Sequence, residues 1–332
     1  SPAVQFSRGC PHNCEFCDIK CLFGRIPRTK EPEQMIKELD ALKNTGYSGP
    51  AMFVDDNILG HKKRLRELLQ ILVPWQKKNN YIFSFYTEAS IDLAWQENKD
   101  ILENLVKAGF NQVFIGIETI DEGVLEKTKK KQNFKIPLED AVRKIQNTGL
   151  EVTAGFIFGL DGEKPDVFDK MYDFIQKTGI VTAMPGLLIP LKGTDLYKRL
   201  EKEGRLKSES SGLNTHKNSL EFIPQLDENF LIQNYKKFME KIYSPKNYYS
   251  RCKILRDNLG ERSKIARRGF NGVMAFVKTI PKILFSKSGY EYAKYFTDTL
   301  IKKPLYLPEA VTQAIKREHF EAVNEDAENI TI

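Results

Sequence analysis

The 332-residue chain is poor in cysteine, with five in all, and four of those crowd between positions 10 and 21. So few cannot form the disulfide framework of a secreted scaffold. Crowded thiols point instead to a reducing compartment and an inorganic cofactor. The chain also lacks any run of 18 or more apolar residues, which excludes a membrane-spanning helix. Neither a signal peptide nor a transit peptide opens it. It starts at Ser1-Pro2 without a methionine and reads as a piece of something longer. What is present is ordinary for a protein with a sizeable core: 41% hydrophobic and 29% charged residues. The length allows two domains, or one α/β barrel taking most of the chain.

Charge is unevenly placed. The formal net charge is +7. Positions 241–290 hold twelve Lys/Arg against only Asp257 and Glu261. Such a stretch predicts an anionic partner, or else a merely solvated basic face. Apolar residues interleave with the basic ones at 269–277 and 283–285, a mixture suited to a bilayer interface more than to a nucleic-acid groove.

Helical patterns alternate with short apolar runs. Pro32 stands at a first helical position, Met35, Ile36, Leu39 and Leu42 follow at helical spacing, and Gly46 is a stop. The unit recurs, with strands expected near 3–7, 51–55, 81–86, 112–117, 151–158 and 181–189. Strand–helix–strand alternation means a parallel sheet, and six units suit a partial barrel better than a closed eight-fold one. A doubly wound sheet shows the same periodicity. In both, chemistry belongs at the carboxyl ends of the strands. Beyond a Ser-rich linker at 208–218 the pattern turns helical (229–243, 248–257, 288–302, 308–323). The expected division is therefore an α/β domain over 1–205 and a mainly α domain over 206–332.

The strongest signal is Arg8-Gly9-Cys10-Pro11-His12-Asn13-Cys14-Glu15-Phe16-Cys17. Three thiolates spaced C-x3-C-x2-C can bind three corners of a [4Fe–4S] cubane and leave the fourth iron without a protein ligand. Structural zinc on Cys10, Cys14, Cys17 and Cys21 competes, but such sites draw ligands from two separate hairpins. A plain electron-transfer cluster with Cys21 as fourth ligand would need no five βα units behind it.

This loop, with aromatic Phe16 before the last cysteine and a first strand ahead of it, resembles the radical S-adenosylmethionine (SAM) superfamily over about residues 3–200. The resemblance implies a partial (β/α)6 TIM-like barrel followed by a mainly α-helical C-terminal domain. It implies Cys10, Cys14 and Cys17 as cluster ligands and SAM as the molecule on the open iron. It further implies an acidic or amide group for the methionine amino end among Asp55, Asp56 and Asn57, where the family more often has Gly-Gly-Glu. Glu118, closing Ile115-Gly116-Ile117-Glu118, matches the ribose position, and Glu88 faces the same mouth. Gly155, Ile157 and Gly159 resemble the stretch packed against adenine. Within the superfamily, Cys17-Asp18-Ile19, residues 22–28, Lys131-Gln132-Asn133 and residues 187–194 resemble the cobalamin-dependent methyltransferases, the branch of hopanoid C-2 methylase and bacteriochlorophyll side-chain methylases.

That branch implies cobalamin in a domain expected before Ser1, methyl transfer to an unactivated carbon of a lipid-like or other small-molecule substrate, and an electron donor such as flavodoxin or ferredoxin. A cytoplasmic place is expected, with peripheral membrane contact at the inner face through 241–290. Methylthiolation of tRNA is the main rival function, but it normally needs a second cluster, for which only Cys252 remains. A non-catalytic iron–sulfur or zinc module would leave the strand-end acids without a role. Nucleic acid is accordingly not the expected partner.

Overall fold

The computed structural model describes residues 1–207, 220–261 and 288–329, with side chains described to residue 321. The linker at 208–218, and residues 262–287 of the basic stretch, lie outside them.

The first strands are β1 (Ala3–Val4) and β2 (Ser7–Arg8), the latter paired antiparallel with β3 (Arg28–Thr29) across the cysteine loop. Next come β4 (Gly49–Phe53), β5 (Phe83–Ala89), β6 (Phe110–Glu118), β7 (Glu151–Phe158) and β8 (Ala183–Leu187). All pairs in the main sheet are parallel, and its strand order, β1-β4-β5-β6-β7-β8, follows the chain. A doubly wound sheet reverses direction at a switch point, and this one does not. The fold is the expected six-stranded partial barrel.

Short helices α1 (Ile19–Leu22) and α5 (Glu122–Lys127) lie in loops, and helices α2 (Pro32–Asn44), α3 (Lys62–Lys78), α4 (Lys99–Lys107), α6 (Leu138–Thr148) and α7 (Val167–Thr178) connect the strands. Alternate strand residues serve the two faces. Phe85, Val113, Ile115, Val152 and Ala154 are fully buried against the helices. Tyr86, Glu88, Phe114, Ile157 and Met184 take the opposite, more open face, which is the lumen.

Helix α8 (Asp195–Lys202) packs back on the cysteine loop through Leu196 N–H donating to Glu15 O at 3.0 Å. The helices α9 (Glu228–Tyr243), α10 (Pro245–Asn258), α11 (Gly289–Lys302) and α12 (Leu307–Asn329) form the C-terminal region. They close the sheet where it would otherwise expose an edge. Pro185 in β8 has no N–H for a further strand. Tyr235 Oη donates to Pro185 O at 3.0 Å, and Tyr243 Oη donates to Ala183 O.

The basic stretch needs a correction. Arg251 and Arg256, counted above toward a surface charge, are fully buried. Arg251 donates to Gln176 Oε1 at 2.9 Å and Ile242 O at 2.6 Å, and Arg256 pairs with Asp298 at 2.7 Å. Neither is available to an anionic partner. Among the described residues no helix is long and apolar enough to cross a membrane.

Candidate active site at the barrel mouth

The cysteine loop lies between β2 and β3 at the carboxyl end of the sheet. Cys10 and Cys17 are partly exposed and Cys14 is buried; none is in a disulfide. Burial raises the Cys17 thiol to about 11, helped by the nearby sulfurs of Cys14 and Cys10; Cys10 is raised in the same way by burial and by Cys14. Cys10 and Cys17 are thus both within electrostatic reach of Cys14, and their bare thiolates are unfavourable without a cationic occupant. Among the described residues no group of three or more His, Cys, Asp or Glu side chains could hold a single metal ion. Ligands of one zinc must bring their sulfurs within about 4 Å of each other, whereas cubane ligands each take a different iron. The donor set fits a cluster. Cys21 is exposed and donates to Gly193 O at 3.2 Å, while Cys252 is fully buried in α10.

Two amide side chains aim at the loop thiols. Asn57 Nδ2 lies 3.8 Å from Cys10 Sγ, and Gln132 Nε2 lies 3.6 Å from Cys14 Sγ. Asn57 also donates to Ser90 Oγ at 2.9 Å and accepts from Leu59 N and Ser90 N. It is a buried strut tying the ends of β4 and β5 to the loop.

Asp55 is a correction. Its carboxylate accepts from Phe6 N at 3.0 Å and from both Ser7 N and Ser7 Oγ, and it is 1% exposed. Burial lifts its pKa to about 6 against these hydrogen bonds. It positions the strand ahead of the loop and does not face the mouth. Asp56 is half-buried and takes Gly9 N on one oxygen at 2.6 Å, which leaves the other open. Glu88, on the adjacent strand, is raised in pKa by burial and by Asp56. Two carboxylates that feel each other's charge in this way can receive an ammonium group.

Glu118 ends β6 in the left-handed region at φ +63°. That strained turn folds its carboxylate back over Gly116, where a Cβ would lie 2.2 Å from Glu118 Oε1 and 2.8 Å from Lys130 Nζ. A side chain at 116 would have to push these two ends aside. Glu118 pairs with Lys130, whose ammonium sits 5.7 Å from the centre of the Phe16 ring. Burial would lower the Lys130 pKa, but Glu118 and the Cys14 and Cys17 sulfurs outweigh it and raise it. The site thus carries a fixed positive charge between Glu118 and the thiols. Lys130 is absent from the sequence-derived candidates, although it adjoins the quoted Lys131-Gln132-Asn133.

Phe16, Glu118, Gly155 and Ile157 line one cavity of about 560 Å3 in the lumen. Gly159 does not reach it; its N–H donates to Glu163 Oε2 at 2.8 Å. The loop itself is braced from behind. Glu15 bonds Arg199 at 2.6 Å, Arg199 bonds Asp161 at 2.7 Å, and Asp161 bonds Arg205 at 2.8 Å.

The model of the radical SAM superfamily matches residues 4–175, just over half of the chain. The chain belongs to the radical SAM superfamily. Residues 194–331 match a second model, a domain of unknown function (DUF4070). An uncharacterized methyltransferase of Synechocystis is 43% identical over 251 residues, which cover 76% of this chain and 46% of that protein. Hopanoid C-2 methylase of Rhodopseudomonas palustris is 37% identical over 243 residues, covering 73% of this chain and 45% of the methylase. The chain thus spans under half the length of these curated relatives. The radical SAM methyltransferase TsrM of Kitasatospora setae matches in fold at a TM-score of 0.55 and 16% identity, covering 70% of this chain and 43% of TsrM. The superfamily uses a [4Fe–4S] cluster and SAM, and the thiols here suit such a cluster.

Proposed function

We propose that this chain is the radical-generating part of a C-methyltransferase that acts on an unactivated carbon of a small molecule. Cys10, Cys14 and Cys17 would hold a [4Fe–4S] cluster, with its fourth iron left to SAM. When bound, the cluster supplies one electron that splits SAM into methionine and a 5′-deoxyadenosyl radical, which takes a hydrogen atom from substrate.

The chain's own residues orient and shield. Asp56 and Glu88 hold the amino end of methionine by charge, while Glu118, paired with Lys130, accepts from the ribose hydroxyls. Gly155 and Ile157 offer a flat backbone surface to adenine. Phe16 and Phe114 keep water from the reacting carbon. Methyl transfer through cobalamin, on a domain outside this chain, rests on the resemblance of residues 17–19, 22–28, 53–57, 131–133 and 187–194 to that branch. The names of the curated relatives support methylation as the outcome. A flavodoxin- or ferredoxin-like donor in the cytoplasm would supply the electron, and peripheral membrane contact through the basic stretch goes with a lipid-like substrate.

The observation that carries this reading is the loop of three free thiols at the carboxyl end of the sheet, two of them met by amide side chains, Asn57 at Cys10 and Gln132 at Cys14. Anaerobic reconstitution tests it. About four irons per chain and reductant-dependent release of 5′-deoxyadenosine from SAM are expected, both lost in Cys14→Ala. Tight zinc with no such release would refute it.

A further inference from the structure

Residues 128–133 form a strap between the end of β6 and the cysteine loop. Asn133 Nδ2 donates to Ile117 O at 3.1 Å and fastens one end of the strap to β6. Thr128 O accepts from Glu15 N at 3.0 Å and fastens the other end to the loop. Gln132, between them, is buried, and its Nε2 lies 3.6 Å from Cys14 Sγ. We propose that Gln132 is a positioning residue for the electron-accepting step: its amide holds the Cys14 sulfur and makes the reduced cluster easier to reach. The inference rests on the cluster assigned above to Cys10, Cys14 and Cys17.

One electron passes from a low-potential reductant to the cluster; the reductant is oxidised, no bond breaks and no proton moves. The cluster therefore gains one unit of negative charge, part of which falls on the cysteine sulfurs. An N–H aimed at a sulfur is worth more as that sulfur becomes more negative, so it favours the reduced state and raises the potential. Cys14 is itself buried, so little water competes with the amide for its sulfur.

Gln132 isolates this effect better than its neighbours do. Among the described residues its side chain makes no other hydrogen bond. Asn57, which approaches Cys10, also bonds Leu59 and Ser90, so its replacement would disturb the ends of β4 and β5. Lys130 lies within electrostatic reach of Cys14 and Cys17 but also pairs with Glu118. Its loss would mix an effect on the cluster with one on Glu118.

The test uses the anaerobically reconstituted chain without SAM. Electron paramagnetic resonance of the reduced cluster, followed through a mediated dithionite titration, reads the midpoint potential. Gln132→Met keeps the length of the side chain and removes the donor. It should bind about four irons per chain, as wild type does, and disfavour the reduced cluster about tenfold, a fall of about 59 mV for a one-electron couple. Lys131→Met is the control: Lys131 is exposed in the same turn, so solvent screens its charge, and the shift should stay under about twofold. A Gln132→Met potential within about twofold of wild type, or an equal shift in Lys131→Met, would overturn the proposal. Where Gln132→Met fails to hold iron, Gln132→Asn decides, because it draws the amide back by one methylene. A fall in potential is expected, and a value within about twofold of wild type overturns the proposal. A wild-type chain that assembles no four-iron cluster would overturn both readings, whereas an intact cluster with an unmoved potential defeats only the role of Gln132.

Discussion

Replacing Arg199 by methionine would remove the brace behind the cysteine loop while keeping the apolar length of the side chain. Glu15 is 6% exposed and receives Arg199 Nε at 2.6 Å and Nη2 at 3.3 Å. Without the guanidinium its carboxylate is a buried charge with no counterion. A fully buried pair broken on one side costs about 3–5 kcal/mol, and an exposed one costs about 0–1 kcal/mol. Arg199 is about one-third exposed, with 34% of its side chain open to solvent. The expected loss is therefore intermediate, about 2 kcal/mol, or roughly 30-fold in the unfolding equilibrium. Asp161 keeps its bond to Arg205, so it adds little. Urea unfolding of the anaerobic protein at pH 7 measures the loss. Adding Glu15→Gln removes the orphaned charge and should recover about 1 kcal/mol. A cost under about 0.5 kcal/mol for Arg199→Met, or no recovery in the double variant, would refute the brace.

Three further outcomes are expected from the packing around Glu163, Gly116 and Gly179. Burial pushes Glu163 up to about 8, so its folded pKa lies above the unfolded value near 4.3. Its favourable contribution is complete below about pH 4 and is lost as pH rises toward 8. Glu163→Gln should flatten that fall and be the more stable protein at pH 8.5, by at most about 5 kcal/mol in urea titrations; an unchanged slope between pH 5 and 8.5 would contradict it. Gly116→Ala should leave unfolding nearly unchanged, since the groups met are the movable ends of Glu118 and Lys130, yet weaken SAM binding about tenfold by equilibrium dialysis. Gly179→Ala meets Ile254 Cγ2 at 2.7 Å and Leu255 N at 2.9 Å from a backbone at φ +68°, so it should loosen α10 from α7 and cost about 2 kcal/mol or more.

Where periodic burial decides local structure, the sequence was informative. Residues 151–158 read as one strand and form Glu151–Phe158, and 288–302 read as a helix and form Gly289–Lys302. The two-residue strands Ser7–Arg8 and Arg28–Thr29 carry no such period, so the clasp around the cysteine loop was not legible. The thiols were legible because three ligands share one loop. Long-range partners were not. Arg256 looks like a surface charge until Asp298, 42 positions away, is folded against it. Asp55 looks like a mouth residue until Phe6 and Ser7 claim its oxygens. Lys130 joins Glu118 only because a left-handed residue turns the end of β6.

Mössbauer spectra of the 57Fe-reconstituted chain, with and without SAM, would reach the core of the account most directly. One iron site in four should change its isomer shift when SAM is added, and the other three, bound to Cys10, Cys14 and Cys17, should not. Spectra identical with and without SAM, or iron bound in mononuclear sites only, would contradict it.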